Sequence, residues 1–304
     1  VTGVVSERQR GIALALVANA IWGAAALYWI QTKPVAPIDV LAHRGLWTLP
    51  AVLLILLFMG RLRGALALLV DWKIMRLMAL AAALISINWG TFLWAVTSGH
   101  ATEASLGYFL LPLLQVVIGV LFFKEQLSGM QIFAVAMAVL GISVKVFEVG
   151  SLPIVALALS LSFAIYGAVR KFVRADSVQG LFLESLFLLP VAAAWVLWHD
   201  GAGFGRHGLR VDFVLVFSGL FTAMPLLTSV AASRLLPLST MGMLTYIGPT
   251  LQLVVALTFL DEQITAATAA AFACVWIGLL VVTADNLRKL HRMRRQRTSA
   301  TEAL

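Results

Sequence analysis

The stretch Pro112-Leu113-Leu114-Gln115-Val116-Val117-Ile118-Gly119-Val120-Leu121-Phe122-Phe123-Lys124-Glu125-Gln126 returns later in the chain as Pro249-Thr250-Leu251-Gln252-Leu253-Val254-Val255-Ala256-Leu257-Thr258-Phe259-Leu260-Asp261-Glu262-Gln263. The proline, the glutamine one turn on, a valine, a phenylalanine and the closing Glu-Gln pair all fall in register. The match runs on through Ala134 and Ala271, Ala136 and Ala273, and Gly141 and Gly278. Upstream, Ala20-Ile21-Trp22-Gly23-Ala24 answers Ala164-Ile165-Tyr166-Gly167-Ala168, and Pro50 answers Pro190. The chain reads as duplicated.

The duplicated unit is apolar. Of 304 residues 61% are hydrophobic and 12% charged, against roughly 25% charged in a soluble domain, so lipid is the expected solvent. A bilayer core of about 30 Å needs roughly 20 apolar residues per helix. Ten runs qualify: 11–30, 40–59, 74–96, 104–123, 129–147, 152–169, 179–198, 212–232, 239–259 and 266–285. Gly150, Ser151 and Pro153 supply the break between the fifth and sixth. The first run is longer than a signal-peptide core of roughly 7 to 15 residues and is read as a membrane helix. The lone Cys274 excludes an internal disulfide and a thiolate metal cluster.

Basic residues favour the cytoplasmic side. With the N-terminus inside, every Lys and Arg falls on that side except Lys33, Arg44, Lys145, Arg206 and Arg210, so both ends are expected to be cytoplasmic. The same distribution accounts for the net charge of +8 without nucleic acid, and the basic tail 286–304 is read as a topology anchor at anionic lipid. The domains are then 11–147 and 152–285, five helices each. Five is odd, so the second copy enters the membrane from the opposite face. Such inverted repeats mark transporters, because each half can open by near-symmetry to its own side of a shared site.

Ionisable groups inside apolar runs are costly and usually face a cavity. His43 and Arg44 in the second run and Glu184 in the seventh are the sharpest cases, and Arg44 and Glu184 hold matching positions in the two copies. A direct ion pair between them is not implied. Arg44 is expected to attract an anionic substrate group and Glu184 to take up a proton or a cationic group; the alternative is that both snorkel to their interfaces. Asn88 and Trp89 in the third run suit a lined cavity. Pro112 and Pro249 are expected to kink their helices and to free carbonyls there, with Tyr108 and Tyr246 near the kinks and Gln115 and Gln252 a turn deeper. Trp22 and Tyr166, near mid-run, are read as gate or cavity wall. Glu125 and Glu262 close their runs as membrane-edge residues, with a gating contact as the alternative.

The residues Ile21-Trp22-Gly23, His43-Arg44, Asn88-Trp89, Glu103-Ala104-Ser105-Leu106-Gly107-Tyr108-Phe109, Gly150-Ser151-Leu152-Pro153, Tyr166-Gly167-Ala168-Val169-Arg170-Lys171 and Tyr246-Ile247-Gly248-Pro249-Thr250 together resemble the RarD-type chloramphenicol-sensitivity proteins. These are an EamA-like branch of the bacterial drug/metabolite transporter superfamily. The resemblance implies a ten-helix inner-membrane permease of two inverted repeats and efflux of small organic molecules. It assigns no cargo.

A secondary transporter is therefore the expected function, with a small-molecule substrate, the lipid bilayer as partner, and no cofactor, metal or nucleic acid. No Gly-x-x-x-x-Gly-Lys-Ser/Thr fingerprint occurs, so ATP is not expected to drive it through a P-loop. A proton gradient could act through Glu184, Glu103 or His43, the last with an unperturbed pKa near 6.5. A channel-like facilitator and a membrane-embedded enzyme are the alternatives. The five histidines lack the H-E-x-x-H spacing, and His199, Asp200 and His207 read as a solvated loop rather than a metal site. Oligomeric state leaves no mark on the sequence.

Overall fold

The computed structural model describes residues 2–124, 128–150, 152–236, 241, 244–281 and 283–284. Glu125, Gln126, Ser151 and the basic tail lie outside the described residues. The chain is an all-α membrane protein, and no described residue is in a strand. Its helices are α1 (Thr2–Gly23), α2 (Ala25–Trp29), α3 (Pro37–Phe58), α4 (Leu62–Ala67), α5 (Trp72–Thr97), α6 (Ala101–Phe123), α7 (Gly129–Val149), α8 (Ile154–Lys171), α9 (Ser177–Trp198), α10 (Leu209–Leu235), α11 (Ile247–Phe259) and α12 (Ala266–Val281). Among the described residues, α3, α5, α7, α8, α9 and α10 are long and apolar enough to cross a membrane unaided. Large apolar side chains such as Leu54, Phe58, Ile132, Val139, Phe213 and Leu280 face outward, where only lipid would tolerate them.

Local chemistry sets many of the boundaries. Pro37 opens α3, where its missing N–H costs nothing. Asp71 caps α5 by accepting from the Lys73 and Ile74 amides. Ser128 with Gln131 and Asp176 with Gln179 form reciprocal capping boxes for α7 and α9. Gly150, at φ +72°, ends α7 in the left-handed conformation that glycine adopts without strain.

Two runs expected to be single helices are broken. The first bends by 46° between α1 and the short pair of turns after it. Gly23 ends α1, and a Cβ there would lie 2.6 Å from Leu251 Cβ, so α11 crosses tightly at the bend. In the ninth run, α11 starts at Ile247 with Tyr246 as its N-cap. Pro249 therefore sits in the first helical turn instead of the interior, where its ring would clash with the preceding turn. Its counterpart Pro112 lies within the unbroken α6.

The packing pairs elements in a crosswise pattern. α1 lies along α10 and α8 along α5; α6 packs on α8 and α11 on α1. Between α7 and α12 the contacts are reciprocal. A Cβ on Gly141 would meet the Ala271 carbonyl at 3.0 Å, and one on Gly278 would meet the Ala134 carbonyl at 3.0 Å. These four residues are the two matched pairs of the duplicated stretch. Small residues let the backbones approach this closely, the usual means of holding helices together in lipid.

Candidate functional site

Arg44 stands at the junction of α2, α3, α5 and α10 and is 8% exposed. Its Nε donates to Thr222 Oγ1 at 3.0 Å, and Thr222 in turn donates to the Ser218 carbonyl at 2.8 Å. The guanidinium lies over the Trp89 ring at 3.8 Å and the Trp29 ring at 4.9 Å. Such contacts contribute about 2 kcal/mol or more when desolvated. Thr48 donates to the Arg44 carbonyl at 2.6 Å and ties off the backbone below it.

A second polar chain abuts the Trp89 side of this cluster. Asn88 Nδ2 donates to the Leu159 carbonyl at 2.9 Å and to Ser162 Oγ at 3.2 Å, linking α5 to α8. The Tyr108 hydroxyl donates to Asn88 Oδ1 at 3.1 Å. On the Trp29 side, Tyr28 stacks on Phe221 at 3.9 Å and donates to the Val214 carbonyl. The result is a ring-lined enclosure around one cation. Among the described residues no carboxylate forms an ion pair with Arg44. The titratable groups that act on it electrostatically are the Tyr28 and Tyr108 phenols, which are neutral at physiological pH.

Glu184 has a different setting. It is 1% exposed, and its Oε1 lies 3.8 Å from Arg170 Nε. That is an ion-pair distance but too long for a hydrogen bond, and Oε1 has no hydrogen-bond donor among the described residues. Tyr166 interacts with the same carboxylate. The Arg170 guanidinium also donates to the Asp176 carbonyl at 3.0 Å and crosses bare backbone at Gly180, where a Cβ would lie 2.0 Å from Nη1. Tyr166 and Arg170 are one turn apart on α8, and Gly180 and Glu184 one turn apart on α9. Two helical faces therefore meet as a unit.

The remaining expected residues scatter. His43 is buried, and its Nε2 donates to the Gly201 carbonyl at 3.1 Å, with Phe204 beside the ring; it holds the α9–α10 loop, away from the guanidinium. Gln252 donates to the Trp22 carbonyl at 3.1 Å, satisfying a backbone oxygen released where α1 ends. Trp22 is exposed and Tyr246 half-buried at the start of α11. Gln115 is exposed, its amide near Gly167. Glu103 pairs with Lys145 at 3.2 Å. Glu262 accepts from the Ala101 and Thr102 amides at 2.6 and 2.7 Å, capping α6 from across the molecule. A concavity of about 550 Å³ lies between Pro34–Asp39 and the loop bearing His199, Asp200 and His207. No group of three or more His, Cys, Asp or Glu among the described residues could hold a metal ion.

Known proteins share this plan. Residues 9–147 match the EamA-like transporter family. Over 295 residues the chain is 37% identical to an uncharacterized transporter of Vibrio cholerae, covering 96% of this chain and 97% of that one. It is 36% identical to protein RarD of Escherichia coli K12 over 282 residues, 92% and 95% of the two chains. With the chloramphenicol-sensitive protein RarD of Pseudomonas aeruginosa it shares 32% over 292 residues, 94% and 98% of the two. The chain belongs to the EamA-like transporter family. Within that family it is RarD-type, a multi-pass protein of the bacterial inner membrane. A solved crystal structure has the same fold, with a TM-score of 0.58 over 90% of this chain and 97% of that one at 21% identity.

Of the residues that stand out in the sequence of this EamA-like chain, Arg44, Asn88, Trp89 and Tyr108 come together in one cluster and Tyr166 and Glu184 in another. They are joined by Trp29, Tyr28 and Arg170, which the sequence does not single out as their partners. Arg170 falls by the charge count with the cytoplasmic basic residues. Its spacing of one turn from Tyr166 was the available signal that it faces Glu184 instead. Nothing local announces Trp29, which reaches Arg44 because the chain bends just before it.

Proposed function

We propose that this chain is a secondary transporter, an exporter of small organic metabolites or drugs, and not an enzyme. It works by alternating access between two inverted five-helix repeats, 11–147 and 152–285, with both ends cytoplasmic. The observation that carries the reading is a buried cation without a counter-ion among the described residues, at 8% exposure, set between α2, α3, α5 and α10. The reciprocal Gly141–Ala271 and Gly278–Ala134 approaches support the two-fold relation. In this proposal Arg44, Asn88, Trp89 and Tyr108 hold cargo. Trp22, Tyr166, Gln115, Tyr246 and Gln252 line the path, and His43 steadies the α9–α10 loop.

Glu184 is proposed as the proton-coupling group, in preference to Glu103 and His43. Its carboxylate is buried, lacks a donor on Oε1, and sits at a long distance from Arg170, so a proton can replace the ion pair with little rearrangement.

The test is transport by the purified protein in proteoliposomes. Saturable uptake with counterflow is expected, accelerated by a pH gradient of one orientation. Flux that grows linearly with concentration and shows no counterflow would make the protein a channel-like facilitator. Flux indifferent to reversal of the pH gradient would remove Glu184 from the mechanism.

A further inference from the structure

Building on the reading of the Arg44 cluster as the cargo site, we infer that the cargo is an organic monoanion, one carboxylate on a flat, apolar body. The charge follows from the guanidinium. Its donors form a planar fork matched to a carboxylate, and among the described residues only Nε has a protein acceptor. Nη1 and Nη2 are not among the buried side-chain atoms without a partner, so the open end of the fork keeps a path for an incoming anion, and no described carboxylate meets it. An anion arriving edge-on at the two Nη groups completes the fork while both ring contacts stay in place.

That there is one charge follows from the neighbours. Tyr28 and Tyr108 already donate to the Val214 carbonyl and Asn88 Oδ1. The Asn88 amide is spent on Leu159 and Ser162, and Thr222 on Ser218. A phosphate or dicarboxylate would bring a second charge against these phenols, this amide and this hydroxyl, whose donors are already taken. An ammonium group fares no better, since no described carboxylate pairs with a residue of this cluster. Free amino acids are therefore disfavoured along with cations. The flat body follows from the rings around the guanidinium, Trp29 and Trp89 against it with Tyr28 and Phe221 packed beyond Trp29.

The experiment is calorimetric titration of the full-length protein in detergent with phenylacetate, phenylacetamide, phenethylammonium, phenylalanine, phenylsuccinate and acetate. Phenylacetate is expected to bind saturably and on the order of 10- to 100-fold more tightly than each of the others. Arg44→Gln should reduce it to the level of the amide. Arg44→Lys should keep the preference for the anion at lower affinity, and Trp89→Leu should weaken phenylacetate while leaving acetate unchanged. Thermal melting identifies which variants fold, and the two milder ones carry the test if Arg44→Gln does not.

The inference is overturned if the amide, the amino acid or the dianion matches phenylacetate, if no carboxylate preference appears across the panel, or if a folded Arg44→Gln keeps it. Counterflow in proteoliposomes separates this from the broader proposal. Phenylacetate that binds but never exchanges would sink the transporter reading alone. Counterflow of neutral solutes without carboxylate preference would sink this inference alone.

Discussion

Arg44 on α3 and Glu184 on α9 are both charged residues buried in long apolar helices, yet their surroundings differ in kind. Arg44 is enclosed by rings and neutral polar groups drawn from α2, α5 and α10, and no described acid answers its charge. Glu184 is answered from the next helix by Arg170, itself fastened to the α8–α9 turn. Among the described residues one buried charge thus has no counter-ion and the other has one. In the proposed mechanism, the first takes its counter-charge from the cargo. The second can be neutralised by a proton without leaving a hole.

The contrast is broken most directly at Arg44. Arg44→Gln should lower saturable transport by at least about 100-fold, since a buried charged pair in the bound state is lost; initial uptake rates in proteoliposomes measure it. A folded variant with wild-type uptake would mean that the two sites are not different in the way described. Glu184→Gln should act on coupling alone: accumulation driven by a pH gradient falls to the equilibrative level, while counterflow at zero gradient persists. Equal loss of both would place Glu184 with Arg44 in holding cargo.

Smaller effects separate packing from chemistry. Gly180→Ala drives a methyl into the Arg170 guanidinium, with an ideal Cβ 2.0 Å from Nη1, and should destabilise by about 1.5–3 kcal/mol through the Asp176 and Glu184 contacts that the displaced guanidinium gives up. Gly129→Ala, with open space around it, serves as the control in thermal melting. Glu262→Gln should cost about 1–2 kcal/mol, because the amide oxygen still accepts from one of the Ala101 and Thr102 amides while its NH2 cannot accept from the other. A loss beyond that of Gly180→Ala would show that the crossing from α11 to α6 matters more than the Arg170–Glu184 seam.

Much of the scaffold was readable because its signals are local or repeated. Gly150 and Pro153, read as the break between the fifth and sixth runs, do end one helix and precede the next, with Gly150 as the C-cap of α7 and α8 starting at Ile154. The duplicated stretch matched Gly141 with Gly278 before either was seen to touch the opposite copy's alanine. The site was readable only in its charged and amide-bearing members, since a lone Arg, Glu or Asn in an apolar run stands out by its cost in lipid. Gln115 and Gln252 show the limit. They are twins in sequence, yet one is exposed and the other is buried against the carbonyl that the α1 break released. An amide in an apolar run signals that it needs a partner without saying which backbone oxygen will be free.

Composition and spacing by themselves determined that this chain lives in lipid as helices, that two of its stretches match in register, and which charges stand alone in apolar runs. These properties depend on residue type and spacing, which the chain carries wherever it goes. Tertiary structure decided the partners. Trp29 reaches Arg44 through a bend, and Arg170 turns from the basic flank to Glu184 across a glycine. The reason is that a counter-ion or a stacking ring is fixed by where distant helices cross, and those crossings are set jointly by side chains from many segments.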